Sequence, residues 1–334
     1  MIGRGRGQES WRLHVVDGDE LPIVEGSGSD DWQESRPSPH GMTVQLREHP
    51  GDLRGALLRG TYRCAKGAWT IGTWVPTGLT RAMSSGPDIW TLSAVDPTVR
   101  LARIHLRRSY TLPTGGDIEA ESRRLLETYL PGVPLAIVDT DATARVPLTW
   151  EVGTPLLTAL SEMLAAGGHE PVRPTRDGGY AAPLIGAPGG EPVVEWADDR
   201  TRGQFVPELE LTDRLLDVPN EVLAIAAGSG STQGLVGRWV DLAAIKRYGR
   251  HTDTIRVEAT SQTAADAQAA KRGRDLQAQA AELTLTAPWE PVDAGSLASL
   301  TWTEREVEKR AIIRGWSHTW APSAETAWTL QEVR

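Results

Sequence analysis

Cysteine is almost absent from this chain of 334 residues, in which Cys64 is the single one. One cysteine cannot form an intrachain disulfide, and it cannot supply the ligands of a cysteine-based zinc site. We interpret Cys64 as a small apolar side chain in a predicted strand, because lone cysteines are mostly buried and inert; a nucleophile is the alternative. Runs of 18 apolar residues are also missing, so no membrane-spanning helix is predicted.

Phenylalanine, asparagine and lysine are scarce as well. The chain has one Phe (Phe205), one Asn (Asn220) and four Lys, against 31 Arg and 13 Trp. This bias is typical of a protein encoded by a high-GC genome. Because the Trp residues are spread along the whole chain, we expect them to fill the core positions that large aromatic side chains usually take. A sugar-binding aromatic platform is the alternative.

Positive charge is in deficit, since the formal net charge is −9. This charge argues against a protein that grips nucleic acid, because such affinity comes from Lys and Arg side chains that neutralise phosphates. An acidic surface has a different use, which is to let DNA slide past without sticking.

Motifs of known catalytic sites are absent from the sequence. There is no Walker loop, no GxGxxG after a strand, no GxSxG and no HExxH. The histidines share no spacing that is typical of metal ligands. The seven histidines are His14, His40, His49, His105, His169, His251 and His318.

Two acidic clusters have the oxygen ligands that calcium prefers. One combines residues 17–20 with Asp30 and Asp31, and the other is 139–141. Neither matches the spacing of an EF-hand loop, so solvated acidic loops are the favoured interpretation. The Gly, Ser and Pro residues of 26–39 predict a long exposed loop around the Asp30-Asp31 pair.

A third acidic cluster could be imagined as a glycosidase pair beside a sugar platform. Asp198 and Asp199 lie close in sequence to Glu195 and Trp196. Adjacent residues on an extended segment point to opposite faces, so two neighbouring Asp side chains seldom form a catalytic pair. The sequence therefore predicts no catalytic residue, no cofactor-binding residue and no metal ligand.

Residues 1–108 have the alternating pattern of antiparallel strands. Strands are predicted at 11–17, 42–47, 55–65, 68–75 and 88–94. In the fourth of these we expect Trp69, Ile71 and Thr73 on one face. The fifth is expected to pair with the fourth across the turn 84–87. The spacing of these strands is typical of small sandwiches and barrels.

Residues 109–205 predict a smaller α+β domain. Asp117 is expected to be the N-cap of a helix at 118–130, which Pro131 and Gly132 end. Further elements are predicted as a helix at 156–166 and short strands at 134–138, 148–150, 169–172 and 179–185. The last two strands are expected to pair around the turn 176–178.

Residues 206–334 predict a second β domain that contains one long helix. Strands are predicted at 221–227, 255–259, 282–287, 297–303, 309–319 and 326–332. The helix 264–280 is rich in Ala, Gln and Arg. It is interpreted either as a helix at a subunit or domain interface or lining a channel, or as a surface helix on a sheet. The segment 228–253 fits no clear element, and its basic run 246–251 is interpreted as an exposed turn.

Three stretches carry a resemblance to a known family. The first is 110–117, which runs into the helix that contains Leu125 and Leu126. The second is 148–155, followed by 160–169 and the turn 176–178. The third is the strand start 218–222 with the helix 264–280 and the closing hairpin around 315–318. In this order and spacing they resemble the central baseplate-hub proteins of phage tails, including the minor tail proteins of siphophages, and of related contractile injection systems.

The resemblance implies a β-rich α+β fold with two antiparallel, tail-tube-like β-barrel domains at 1–108 and 206–334. The smaller α+β domain at 109–205 would lie between them. It implies a homotrimeric ring that joins the sixfold tail tube or distal tail ring to a threefold tip and lines the DNA channel. No catalytic residue or cofactor carries over, so an enzyme is not expected.

The resemblance also implies a location and a set of partners. The location is the tail tip of the virion, after synthesis in the host cytoplasm. The expected partners are two further copies of the chain, the distal tail protein, the tail tube or tape measure protein, and downstream tip or spike proteins. DNA would pass without specific binding. The alternative is a minor tail protein that binds carbohydrate or cell wall through exposed Trp residues, and a wall-degrading hydrolase is a third reading.

Overall fold

The computed structural model describes most of the chain. It leaves out residues 1–8, 35, 37, 66, 84–87, 187–190, 199–205, 212–217, 227–233, 281, 303–306, 323 and 334, and it gives only the backbone path of 206–211, 278–280, 282 and 307. Within the described residues, no helix is long and apolar enough to cross a membrane. The predicted turn 84–87, the Gly/Ser turn after the strand at 221–227, Phe205 and Asp199 lie outside the described residues.

Six antiparallel strands form what we call the N-terminal β unit. They are β1 (Ser10–Val15), β2 (Ser29–Gln33), β3 (His40–Leu46), β4 (Leu58–Cys64), β5 (Gly67–Ala82) and β6 (Ile89–Val95). Their order in the sheet is β1-β4-β5-β6-β3-β2. The predicted fourth and fifth strands are neighbours, but the predicted residues 68–75 pair with β4, and β6 pairs with the extension of β5 from Val75 to Ala82.

The next segment folds as a small α+β insert. Its elements are α1 (Thr98–Arg103), β7 (Tyr110–Leu112), α2 (Ile118–Tyr129), β8 (Leu135–Ile137), β9 (Leu148–Trp150), α3 (Leu156–Ala166), β10 (Arg173–Pro174) and β11 (Tyr180–Ala182). The predicted N-cap is confirmed, because the Asp117 carboxylate accepts a 2.8 Å hydrogen bond from the backbone of Ala120. The helix α1 was not predicted, since six residues are too short to show a helical apolar period.

The rest of the chain supplies the remaining elements. They are β12 (Val194–Ala197), β13 (Val206–Leu211), β14 (Glu221–Ala226), β15 (Leu235–Val240), α4 (Leu242–Tyr248), β16 (Thr252–Val257), α5 (Gln262–Ala280), β17 (Glu282–Pro288), β18 (Leu297–Trp302), β19 (Val307–Thr319) and β20 (Glu325–Glu332). We call β12, β13 and β17 to β20 the C-terminal β unit. The elements β14 to β16 with α4 and α5 form a separate small-sheet unit.

The two β units are parts of one sheet of twelve strands. In this sheet β2 pairs with β3 on one side and with β19 on the other, so that Trp32 lies opposite Trp316. The path continues from β19 to β20, β17 and β13, while β18 and β12 extend from the first half of β19. The β-rich α+β class is therefore confirmed. Among the described strands the pairing does not close a barrel.

The prediction of a long exposed loop at 26–39 is wrong. Residues Ser29–Gln33 form β2, an internal strand of the sheet, in which Asp30 and Trp32 are buried. The Gly, Ser and Pro residues around this short strand predict turns, and only pairing with β3 and β19 reveals it. A strand that is paired on both sides needs less intrinsic strand propensity, because its tertiary neighbours supply the stabilisation.

The predicted face of Trp69, Ile71 and Thr73 is also wrong. A bulge between Gly60 and Thr61 of β4 leaves Ile71 without a partner, so the alternation shifts by one residue. After the bulge, Trp74 is the residue of β5 that lies on the same face as the buried side chains of β4, and Trp74 is fully buried. Thr73 instead donates a 2.6 Å hydrogen bond to the carbonyl oxygen of Arg176 in the insert.

The helix α5 lies on one face of the small sheet, as one of the two interpretations predicted. Its contact with β15 is very close, because a Cβ atom on Gly237 would lie 2.1 Å from the carbonyl oxygen of Ala265. The side chains of Ala265 and Ala269 are fully buried there. Small residues on the helix therefore let the helix and strand backbones approach each other.

The other side of α5 contacts the insert and the C-terminal β unit. Lys271 forms a 3.0 Å ion pair with Glu170 of the insert. Gln331 of β20 donates a 3.0 Å hydrogen bond to the carbonyl oxygen of Arg274. The interface interpretation and the helix-on-sheet interpretation are therefore both correct, since α5 joins the small sheet to the insert and to the C-terminal β unit.

The close approach at Gly237 leads to a stability prediction. We expect Gly237→Ala to lower the free energy of unfolding by about 3 kcal/mol, because the added methyl group meets backbone atoms that cannot rotate away. Gly186→Ala is the matched control, since nothing lies within 4 Å of a Cβ atom at Gly186. Urea unfolding of both variants measures the difference, and equal midpoints for the two would contradict the packing of α5.

Candidate functional site

The densest group of chemically active side chains surrounds Asp30. Its Oδ2 accepts hydrogen bonds from His40 Nε2 at 3.0 Å and from Trp316 Nε1 at 2.8 Å. Its Oδ1 accepts from Trp320 Nε1 at 2.7 Å and from His318 Nδ1 at 3.2 Å. We call these five residues the Asp30 cluster. Each carboxylate oxygen thus has two N–H donors, which leaves the carboxylate fully hydrogen-bonded.

The strand pattern places these side chains together. Asp30 lies directly opposite His318 in the pairing of β2 with β19. Trp316 and His318 are two residues apart on β19, so they share one face of the sheet. His40 is the first residue of β3, and Gly72 makes room for it, because a Cβ atom on Gly72 would lie 2.6 Å from the imidazole ring.

The cluster favours the ionised form of Asp30. Burial by itself raises the pKa of this carboxyl group, but hydrogen bonds and charge interactions with His318 and His40 outweigh it and hold the pKa well below its usual range. The carboxylate accepts at both oxygens, so His40 carries a proton on Nε2 and His318 carries one on Nδ1. A buried charge of this kind is tolerated because every lone pair has a donor.

Aromatic rings close the cluster off from solvent. Trp32 stacks on Trp316 with ring centroids 5.4 Å apart, and Trp289 stacks on His318 at 5.9 Å. Trp74 lies 4.9 Å from the ring of His40. Asp30, His40 and His318 are at most 5% exposed. Within the described residues these three side chains are closed to solvent, and their hydrogen bonds join the N-terminal and C-terminal β units.

A second buried acid–base pair lies in the insert. His169 is fully buried, and its Nδ1 faces the carbonyl oxygen of Ala182 at 3.1 Å, so this nitrogen carries a proton. Its Nε2 lies 3.1 Å from Oε1 of Glu119, and the Thr140 hydroxyl donates to the same oxygen. This pair ties α2 to β11 through the core of the insert.

The two acidic clusters that were weighed as calcium sites were interpreted as solvated loops, and this interpretation is wrong for Asp30. Asp30 is 1% exposed and belongs to the Asp30 cluster, whereas Asp31 pairs with Arg36 at 2.5 Å on the surface. In the other cluster, Asp139 pairs with Arg123 at 2.7 Å. Within the described residues, no group of three or more His, Cys, Asp or Glu side chains is arranged to hold a metal ion.

The tryptophans occupy the core, as expected. Eight of the thirteen are buried and the other five are half-buried, so none is exposed. Trp196, which was considered as a sugar platform beside Asp198, is 3% exposed and packs against Trp328. Cys64 is a free, half-buried thiol at the end of β4. The aromatic-platform reading therefore has no exposed Trp to rest on.

The architecture defines a class of proteins. No family model matches the sequence. No curated protein matches it either. Solved structures, by contrast, match nearly its full length, and they are phage tail proteins and hub-like components of related machines. The resemblance to tail proteins inferred from the residues is confirmed at the level of the fold.

Three particular structures show the extent of this likeness. A tail protein of Neisseria meningitidis covers 97% of this chain and 96% of its own, with a TM-score of 0.74 and 16% identity. The 43 kDa tail protein of prophage MuSo2 from Shewanella oneidensis covers 98% of both chains, with a TM-score of 0.67 and 11% identity.

The third structure is a type VI secretion component of E. coli, described as structurally similar to the T4 tail proteins gp27 and gp5. It covers 96% of this chain and 77% of its own, with a TM-score of 0.57 and 13% identity. At these identities the likeness establishes the fold.

The Asp30 cluster predicts a large loss of stability on a small substitution. Asp30→Asn leaves one oxygen for four donors and turns an amide N–H₂ toward N–H groups, so we expect a loss of about 3–5 kcal/mol. Asp31→Asn is the matched control in the next position, and loss of its exposed pair with Arg36 costs less than about 1 kcal/mol. Equal urea midpoints for the two variants would show that the cluster does not hold the sheet together.

The same cluster predicts a pH dependence. The pKa of Asp30 is lower in the folded chain than the value of about 3.9 in an unfolded chain. The contribution of Asp30 to the free energy of unfolding is therefore complete above the unfolded-state pKa and declines as the pH falls below it. We expect the difference in unfolding free energy between the natural chain and Asp30→Asn to be constant near neutral pH and to narrow below about pH 4. A difference that widens in acid would contradict the ionised state of Asp30.

Proposed function

We propose that this protein is a structural component of a phage tail, the hub of the tail tip. Three copies form a ring that joins the sixfold tube or distal tail ring to a threefold tip, and DNA passes through the central channel. The observation that carries the proposal is the match of nearly the whole chain to tail proteins, together with the match to a component described as similar to gp27 and gp5.

The internal structure supports a role that depends on geometry. The two β units share one sheet through β2 and β19, so their relative orientation is fixed by backbone hydrogen bonds. Three such chains would present six β units around an axis, which suits a joint between sixfold and threefold neighbours. In this proposal each β unit takes a barrel-like, tail-tube-like role, and the domain limits are those predicted at 1–108, 109–205 and 206–334.

The proposal gives the protein no catalytic, cofactor or metal-binding residue. Its most chemically active groups, Asp30 and Glu119, are buried and engaged in hydrogen bonds that hold elements together. The proposed neighbours are the distal tail protein, the tube or tape measure protein, and the tip or spike proteins. The proposed location is the tail tip of the virion.

The mass of the assembled protein tests this proposal. We expect light scattering of the purified chain to give three chains per particle, and electron microscopy to show a ring with an axial opening at the end of the tail tube. A chain that stays monomeric even with tube and distal-ring proteins present would contradict the hub. Binding to host-wall glycans by such a monomer would instead favour the carbohydrate-binding alternative.

A further inference from the structure

The small sheet of β15, β14 and β16 has one face that no described element covers. The opposite face is covered by α5. The uncovered face, which we call the open face, is formed by Val236 and Arg238 of β15, Leu223 and Ile225 of β14, and Thr254 and Arg256 of β16. Val236 and Ile225 lie side by side across the strands and are 52% and 41% exposed. Large apolar side chains that adjoin on a surface are typical of an interaction site.

The open face carries positive charge on an acidic protein. The ionisable side chains on this face are Arg238, Arg256 and Glu221, whereas the whole chain has a net charge of −9. Arg256 has no ion pair within the described residues, and it lies next to Ile225 across the strands. Arg238 and Arg250 share the buried carboxylate of Glu221, and with Thr252 they lower its pKa to about 2. Glu221 therefore stays ionised and cancels charge on its two arginine partners, which leaves Arg256 as the cation of the open face without an ion pair in the described part of the chain.

A complementary surface lies at the start of β12. Glu191, Val193 and Glu195 are exposed, while Val194 and Trp196, which alternate with Val193 and Glu195, are buried. We call these three residues the acidic ridge. Val193 is 62% exposed, and neither carboxylate of the ridge has an ion pair in the described part of the chain. Strand β12 pairs with β18 on one side and with no described strand on the other.

The two surfaces are similar in spacing as well as opposite in charge. On the ridge, Glu195 of β12 is two residues from Val193, which is about 7 Å along an extended chain. On the open face, Arg256 is one strand away from Ile225, which is about 5 Å. An apolar centre beside a cation can therefore receive an apolar centre beside a carboxylate.

We propose that the acidic ridge of one copy of this chain binds the open face of the next copy. This inference rests on the proposed ring and names the contact that builds it. A cyclic trimer needs a heterologous interface, in which each copy uses two different and complementary patches. The open face and the acidic ridge are two such patches, with Val193 on Ile225 and Val236 and with Glu195 beside Arg256.

Charge reversal tests this contact in the full-length chain. The open-face variant is Arg256→Glu, and the ridge variant is Glu195→Arg. Each places like charges together, so we expect each to weaken self-association at least about a hundredfold in sedimentation equilibrium. The variant that carries both substitutions restores the opposite pair and is expected to regain the ring. Added salt is expected to weaken the natural contact, because salt screens the charge pairs.

Matched controls separate the contact from general charge effects. Arg54→Glu and Glu25→Arg make the same charge changes at exposed sites outside both surfaces, and the side chain of Arg54 is 90% exposed. Both controls are expected to keep the ring. Circular dichroism and thermal unfolding of every variant verify that each remains folded.

Each remaining outcome overturns the contact in a distinguishable way. If the natural chain forms a ring and both charge-reversal variants assemble as well as the control variants do, this contact is overturned and the proposed ring is not. If the charge-reversal variants keep the ring but no longer attach another tail protein, that other tail protein occupies the open face instead. A natural chain that never assembles overturns the ring itself and this contact with it.

Discussion

The pairing of β2 with β19 is the constraint on which the rest of the architecture depends. Among the described strands it is the one link in the sheet between the N-terminal and C-terminal β units. Asp30 sits in that link, and its carboxylate receives donors from both units: His40 from one, and Trp316, His318 and Trp320 from the other. A buried carboxylate that lacks a hydrogen-bond donor costs stability. The cluster therefore fixes the register of β2 and β19 as well as their proximity.

Two further joints make the molecule a single framework. Arg176 of the insert ion-pairs with Asp293 at 2.7 Å and accepts a hydrogen bond from Thr73 of β5 through its carbonyl oxygen, so one turn touches both β units. The helix α5 does the same for the small sheet. Fixed relative positions of this kind suit the proposed hub, because such a protein would act by holding its neighbours in a set geometry.

Charge is divided between two uses. In the interior, single carboxylates such as Asp30 and Glu119 meet specific donors and set the arrangement of elements. On the surface, the overall negative charge is interrupted by the positive open face of the small sheet. A surface of net negative charge repels nucleic acid, whereas a local patch of opposite sign gives a contact its orientation. Both uses are consistent with the proposed hub.

Neighbouring residues in the sequence were sufficient to predict the elements that are stabilised by interactions within a few residues. The cap at Asp117 and the bounds of α3 follow from capping chemistry and helical periodicity within a few residues, and the long helix α5 follows from its composition. Most strands in the last part of the chain were predictable for the same reason, but β13 and β15 were not. The interpretation of 246–251 as an exposed turn was wrong, because residues 246–248 end the helix α4, whose N-cap is Asp241. The exclusion of a disulfide needed only the count of cysteines, and the core role of Trp needed only its spread along the chain.

Tertiary structure decided the features that depend on distant partners. The donors to Asp30 lie 10, 286, 288 and 290 residues away in sequence, so no local pattern announces them, and β2 resembles a loop until β3 and β19 lie beside it. The bulge opposite Gly60 likewise reverses the expected face of β5. The sequence by itself determined the three longer helices, α2, α3 and α5, and most strands, because propensity and capping act over a few residues. Only the tertiary structure decided which buried acid joins the two ends of the chain, because that choice depends on contacts made after the sheet has formed.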